Sequence, residues 1–175
     1  MDDDEITIDR LTEEDWASHR ELRCEMLALA PEAYWTTLGD VEGRSEQQWR
    51  ASLAGECLTL QARRGSEALG TLGVLPTGYA PDLPVPEDTA NIVAVYVRPS
   101  ARGTGVGRAL FAGAAALMRE IGRDRMQLEV THTNRAAIGL YERIGLRPTG
   151  HEHPHPRDPS LREVEYAGRL AELTL

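Results

Sequence analysis

The sequence predicts an α/β fold: a mixed sheet of about seven strands with helices on both faces, in a single domain over residues 1–175. Three observations carry this expectation. An unbroken apolar run, Ile92-Val93-Ala94-Val95-Tyr96-Val97, suits a strand buried on both faces. It feeds a glycine-rich turn and then an apolar stripe at Val106, Leu110, Ala114, Leu117 and Ile121, which is helical spacing. Shorter alternating segments on either side read as further strands, some of them antiparallel.

Composition narrows the class of protein. The chain has 175 residues, 41% hydrophobic and 27% charged, enough for one buried core. No apolar run approaches the ~20 residues of a membrane span. The start, Met-Asp-Asp-Asp-Glu, is the opposite of a basic signal region, so a cytoplasmic protein is expected. A net charge of −9 argues against a nucleic-acid partner and is compatible with a cationic acceptor. Cys24 and Cys57 form no CxxC and no disulfide framework, and read as small buried residues.

The elements follow in order. Glu5–Arg10 alternates as a first strand. Thr12 and Asp15 form a capping box for a helix carrying Trp16, Leu22, Met26 and Leu29, which stops before Pro31. Ser45 caps a second, short helix containing Trp49. Residues 57–62 and 69–75 read as strands joined by a turn at Arg64-Gly65-Ser66. Thr77–Asp88 is a proline-rich loop, either a functional lid or a solvated connector. Pro99 ends the central strand, because it cannot donate to a ladder. Arg125–Thr131 is the fifth strand, with Met126, Leu128 and Val130 on one face and Gln127, Glu129 and Thr131 on the other. Asn134 caps the next helix and Gly145 stops it. Residues 146–153 and 161–170 are expected as two last antiparallel strands around a His- and Pro-rich loop.

A strand entering a glycine turn at a helix start gathers backbone N–H groups and the positive helix end on one point, which makes an anion site. The phosphate-loop pattern is excluded, since no lysine follows the glycines. The dinucleotide pattern G-x-G-x-x-G fails as well: it would end on Arg108 from Gly103, or on Leu110 from Gly105. What remains is Arg102-Gly103-Thr104-Gly105-Val106-Gly107. Downstream stands Leu128-Glu129-Val130, then Asn134, Ala137, Leu140-Tyr141 and Gly145. With these two motifs the chain resembles the GNAT superfamily of acyl-CoA-dependent N-acetyltransferases. The second motif looks most like that of the ribosomal-protein alanine acetyltransferases, although many small-molecule acetyltransferases share it. Together the motifs span roughly a third of the chain.

The resemblance implies the GNAT acyl-CoA N-acyltransferase fold, acetyl-CoA as cosubstrate and no metal. It implies that residues 102–107 (Arg102, Gly103, Thr104, Gly105, Val106, Gly107) and Arg108 hold the coenzyme pyrophosphate, with Arg98 adding to a locally basic patch. The backbone of Val95-Tyr96-Val97 would meet the pantetheine and supply an N–H to the acyl oxygen. Asn134 would lie near the pantetheine arm. Tyr141 is implied as the general acid for the departing thiolate, and Glu129 as the base that takes the proton of the amine. His132 is a rival base. Tyr34 and Trp35 line the acceptor side or pack in the core, and Trp49 leans toward core. His151, His153 and His155 alternate, and are read as a loop at the acceptor rim, a plain surface loop or a metal site. Pro154 and Pro156 argue against the metal, because they break the strand that would align the rings. The expected function is acetyl transfer to a small-molecule primary amine in a ternary complex. A protein N-terminus or lysine is the alternative acceptor, and a non-catalytic acyl-CoA sensor the alternative class; a homodimer is left open.

Overall fold

A computed structural model describes residues 5–79 and 83–175. Met1–Asp4, on which the expectation about the N-terminus partly rests, and Ala80, Pro81 and Asp82 of the proline-rich loop lie outside the described residues. The strands are β1 Ile6–Arg10, β2 Leu58–Arg64, β3 Glu67–Leu75, β4 Thr89–Val97, β5 Arg125–Thr131, β6 Arg147–His155 and β7 Asp158–Arg169. The helices are α1 Trp16–Leu29, α2 Glu46–Leu53, α3 Val106–Glu120 and α4 Arg135–Ile144. The sheet order is β1-β2-β3-β4-β5-β7-β6, antiparallel except between β4 and β5.

One face of the sheet carries α3 and α4. Val106, Leu110, Phe111, Ala114 and Met118 of α3 pack on Leu60, Leu72 and Ile92, and Tyr141 and Ile144 of α4 join the same cluster. Each fully buried large apolar side chain there contributes about 1.5–3 kcal/mol. On the other face, Leu22, Met26 and Leu27 of α1 meet Trp49 of α2 and Tyr96. Two predicted caps are present, since Ser45 accepts the Gln48 N–H and Asn134 accepts the Ala137 N–H at 3.2 Å. At the first, the Thr12 N–H and hydroxyl both donate to the Asp15 carboxylate, ahead of a 3-10 turn that leads into α1.

Two expectations need correction. The His- and Pro-rich stretch is strand rather than loop, since β6 runs to His155 and β7 begins at Asp158. Pro154 is tolerated because β6 is an edge strand, where a missing N–H faces no neighbour, and the register slips at Pro154/His155. Arg98 does not join the basic patch. Its guanidinium lies 2.9 Å from Glu25 and also pairs with Glu21, while Nη1 donates to the Ala68 carbonyl, so it ties α1 to the sheet.

Candidate active site

The site begins with a defect in the sheet. β4 and β5 pair only at Thr89↔Arg125, Ala90↔Met126 and Asn91↔Gln127, although both strands run on. The cause lies in β4. Between Val93, opposite Gly73, and Tyr96, opposite Thr71, it holds one residue more than β3. The surplus is taken up at Ala94, whose φ is 53°. Such a bulge bends its strand and ends regular pairing. The two strands splay, and a cleft of about 1190 Å³ opens between them.

The lip of β4 presents polar backbone to this cleft. The Tyr34 hydroxyl donates to the Val95 carbonyl at 2.9 Å, and Arg102 Nε donates to the Val97 carbonyl at 3.2 Å. In an extended strand a residue's N–H leaves by the same edge as its C=O, so the N–H groups of Val95 and Val97 point into the cleft. Tyr96 faces the opposite way, with its hydroxyl on Glu25 at 2.8 Å.

One end of the cleft is basic. Arg102, Gly103, Gly105, Gly107 and Arg108 line it, with Arg135 and Arg143 from α4. Gly103 and Gly105 stand at φ +78° and +93°, which an L side chain rarely adopts, and a Cβ at either would meet nothing within 4 Å. The turn is thus open on the side where the first N–H groups of α3 emerge. The Thr104 hydroxyl donates to Ala101 at 2.7 Å and closes the turn on itself, and the Val106 side chain is core. These two can serve an anion only through their backbone.

The other end gathers carboxylates and aromatic rings, Glu32, Tyr34, Trp35, Tyr79, Glu129 and Glu163 with Thr131, and the Arg23 guanidinium lies near Tyr34. Glu129 Oε1 lies 2.9 Å from His153 Nε2, whereas its Oε2 is buried with no partner among the described residues. Burial pushes the Glu129 carboxyl up; the bond and charge of His153 pull it part of the way back, and Glu163 and Glu165 add to the rise. Burial lowers His153, but its bonds to Glu129 and to the Pro154 carbonyl outweigh this and leave it raised. Glu163 accepts the Thr131 hydroxyl at 2.8 Å. Trp35 lies edge-on to His153 and tilted against Tyr79, with ring centroids 6.0 and 5.2 Å away.

Between the two ends stands Tyr141, 5% exposed and in edge contact with Phe111. Its hydroxyl has no hydrogen-bond partner among the described residues. Burial, with a smaller contribution from Tyr34, raises it, so the phenol keeps its proton. Asn134 caps α4 through Oδ1, which leaves its amide nitrogen free to donate into the cleft.

The structure thus brings Tyr141, Glu129, Asn134, the β4 backbone and the glycine turn into one cleft, with Tyr34 and Trp35 on its wall. His132 is not among the lining residues. Its Nδ1 accepts the Arg162 N–H at 3.1 Å, turned toward β7. Sequence reasoning missed Glu163, Tyr79, Arg23, Arg135 and Arg143 on the lining. It also missed the bond between His153 and Glu129. Arg135, Gly139 and Arg143 recur at i, i+4 and i+8 along one stripe of α4, but neither arginine stands at helical spacing from Tyr141, so that residue gave no signal for them. For Glu163 and His153, only the register of β5, β7 and β6 could supply one.

Comparison with known proteins places the fold first. The chain has the fold of yncA from Salmonella typhimurium, determined with its cofactor acetyl-CoA: TM-score 0.75, 20% identity, 94% of each chain covered. The same holds for the ribosomal-protein-alanine N-acetyltransferase of Brucella melitensis: TM-score 0.72, 22% identity, 93% of this chain and 99% of that one. The chain belongs to the Acetyltransferase (GNAT) family, whose profile matches residues 10–146. A mycothiol acetyltransferase of Thermobispora bispora is 34% identical over 140 residues, 77% of this chain and 42% of that protein. The chain spans about two fifths of the length of the first curated relatives it matches.

Proposed function

We propose that the protein transfers the acetyl group of acetyl-CoA to a small-molecule primary amine by direct attack in a ternary complex. The observation that carries this reading is the polarity of the cleft, which is basic at the glycine turn and acidic at Glu129 and Glu163. A polyanionic donor and a cationic acceptor can then occupy one cleft from opposite ends and meet at Tyr141. The residues fit acetyl-CoA: the open turn with Arg102 and Arg108 suits a pyrophosphate, and the Val95 and Val97 edge suits an amide-bearing arm.

Acetyl-CoA supplies the thioester carbonyl that is attacked and the thiolate that leaves. The protein's own groups do the rest. An amine near its ordinary pKa of ~10.4 arrives protonated and has no lone pair to attack with. Glu129 Oε2, buried and unpartnered, takes that proton. An N–H of the Val95–Val97 edge donates to the acyl oxygen as charge gathers there. Tyr141, kept protonated by its burial, gives its proton to the departing sulfur.

The acceptor end is lined by Trp35 and Tyr79, and the β6–β7 turn braces the segment that carries Tyr34 and Trp35. The guanidinium of Arg157 in that turn donates to the carbonyls of Tyr34, at 2.7 Å, and of Pro31. This enclosure suits a small molecule better than a polypeptide. Thiol release from acetyl-CoA across a panel of small amines and peptides tests the reading, with the acetylated product identified by mass. Turnover on small primary amines is expected. Turnover on peptides alone would overturn the acceptor, and tight acetyl-CoA binding with no turnover on any amine would overturn the enzyme.

A further inference from the structure

We propose that His153 is the positioning residue of the acceptor base: it holds one carboxyl oxygen of Glu129 through a shared proton and leaves the other to meet the incoming amine. The proposal rests on the reading of Glu129 as that base and adds a residue that the two sequence motifs do not contain.

The argument starts from the two nitrogens of His153. Nδ1 lies 3.0 Å from the Pro154 carbonyl, which can only accept, so Nδ1 carries a proton. Nε2 lies 2.9 Å from Glu129 Oε1. Two lone pairs cannot face each other at that distance, so one proton sits between them. Either imidazolium faces carboxylate, or imidazole faces carboxylic acid. In both cases Oε1 is occupied, and Oε2, buried and without a partner among the described residues, stays unprotonated on a residue that lines the cleft. A proton that leaves the amine therefore has one oxygen to go to. It arrives on Oε2 as the amine nitrogen regains its lone pair, and Oε1 then accepts from the His153 N–H. No second reactant is needed.

Glu163 and Glu165 of β7 face the pair, as does Tyr79 from the loop before β4; Glu163 favours a cation on His153, while both carboxylates hold the Glu129 carboxyl up. Glu165 stands directly opposite Glu129 across β5 and β7, and the Thr149 hydroxyl donates to it at 2.6 Å. Trp35 stands edge-on to the imidazole, with the ring centroids 6.0 Å apart. The backbone makes the contact possible. β6 slips register between Pro148 and Glu152, and His153 comes to lie opposite Glu163, beside the Thr131↔Glu163 pair.

Two measurements on the whole protein test this. The protein has five histidines, and ¹⁵N-edited NMR of their rings, with His153 assigned from the signal missing in H153Q, gives its titration midpoint. In E129Q that midpoint should fall by about one pH unit, since an opposite charge at this range shifts a pKa by about 1–3 units. An unchanged midpoint would overturn the pairing. In H153Q the acidic limb of kcat/KM should move up by about one unit, because Glu129 loses the cation that offsets its burial. KM for acetyl-CoA should hold. A role in packing alone would lower the rate at every pH and leave the limb in place, which would overturn the proposal; H153N serves if H153Q does not fold. The two readings fail differently. A wild-type limb in E129Q removes Glu129 as the base, and the proposal with it. A limb that moves in E129Q but not in H153Q removes His153 alone.

Discussion

The Tyr34 hydroxyl bonds the carbonyl of Val95, one residue beyond the left-handed Ala94. A side chain from the segment after α1 thus braces the lip of the central strand where its own partner strand has departed. Tyr34 therefore shows the cleft its ring, while its hydroxyl is committed to the backbone. Tyr34→Phe should cost about 1 kcal/mol, the usual worth of a hydrogen bond, and lower kcat by loosening the lip. Chemical denaturation and turnover check this, and a variant unchanged in both would leave the hydroxyl idle.

Gly105 separates two effects that are often confounded. Gly105→Ala adds a Cβ to the open turn and forces alanine to φ +93°, a strain on the order of 1 kcal/mol. Gly122→Ala imposes similar strain at φ +73°, just past α3 and away from the cleft. Both should lose stability, but only Gly105→Ala should lose acetyl-CoA affinity, by about tenfold or more (~1.4 kcal/mol). Calorimetric titration of the two variants decides it. Equal affinities would move the phosphate site elsewhere.

Tyr141→Phe keeps the ring on Phe111 and removes only the proton. Turnover should fall about 10²-fold or more, the usual contribution of a general acid, while acetyl-CoA affinity holds. Single-turnover rates and equilibrium binding give the two numbers. Undiminished turnover would reduce Tyr141 to a packing residue.

His19 gives the fold a pH dependence of its own. Burial, with Arg23 and Arg44 nearby, lowers it from 6.5 to about 4, and its ring meets Trp49 edge-on. Between those pH values the unfolded chain binds a proton that the folded chain does not. Stability should therefore be complete above about 6.5 and fall as the pH drops toward 4. Melting temperatures across this window should rise with pH, and His19→Gln should flatten the slope. A wild-type slope in the variant would assign the dependence to other groups.

The sequence made the ends of elements legible wherever a single residue does a local job. Ser45, Asn134 and Pro99 each act within a few positions of themselves, so the helices and the central strand fell where expected. The glycine turn, Glu129, Asn134 and Tyr141 were legible because they stand in two contiguous motifs. The rest depends on pairing. Ala94 takes a left-handed φ with nothing in its residue type to announce it, so the splay that makes the cleft was invisible. Arg98 stands close in sequence to the glycine turn, yet the alternation of β4 sends it to Glu21 and Glu25 on the opposite face. Pro154 looked like a strand breaker because edge position is a property of the sheet. His153 reaches Glu129 across 24 residues, through two strand registers and a slip.

The short seam at Thr89–Asn91 has a mechanical consequence. Four strands lie on one side of it and three on the other, and beyond Asn91 no backbone rung joins the two plates. An extended arm with amide groups, laid in the gap, would replace the missing rungs and act for a time as an eighth strand. Tightening and binding then become one event. Such an arm would complete the sheet for as long as it stayed bound.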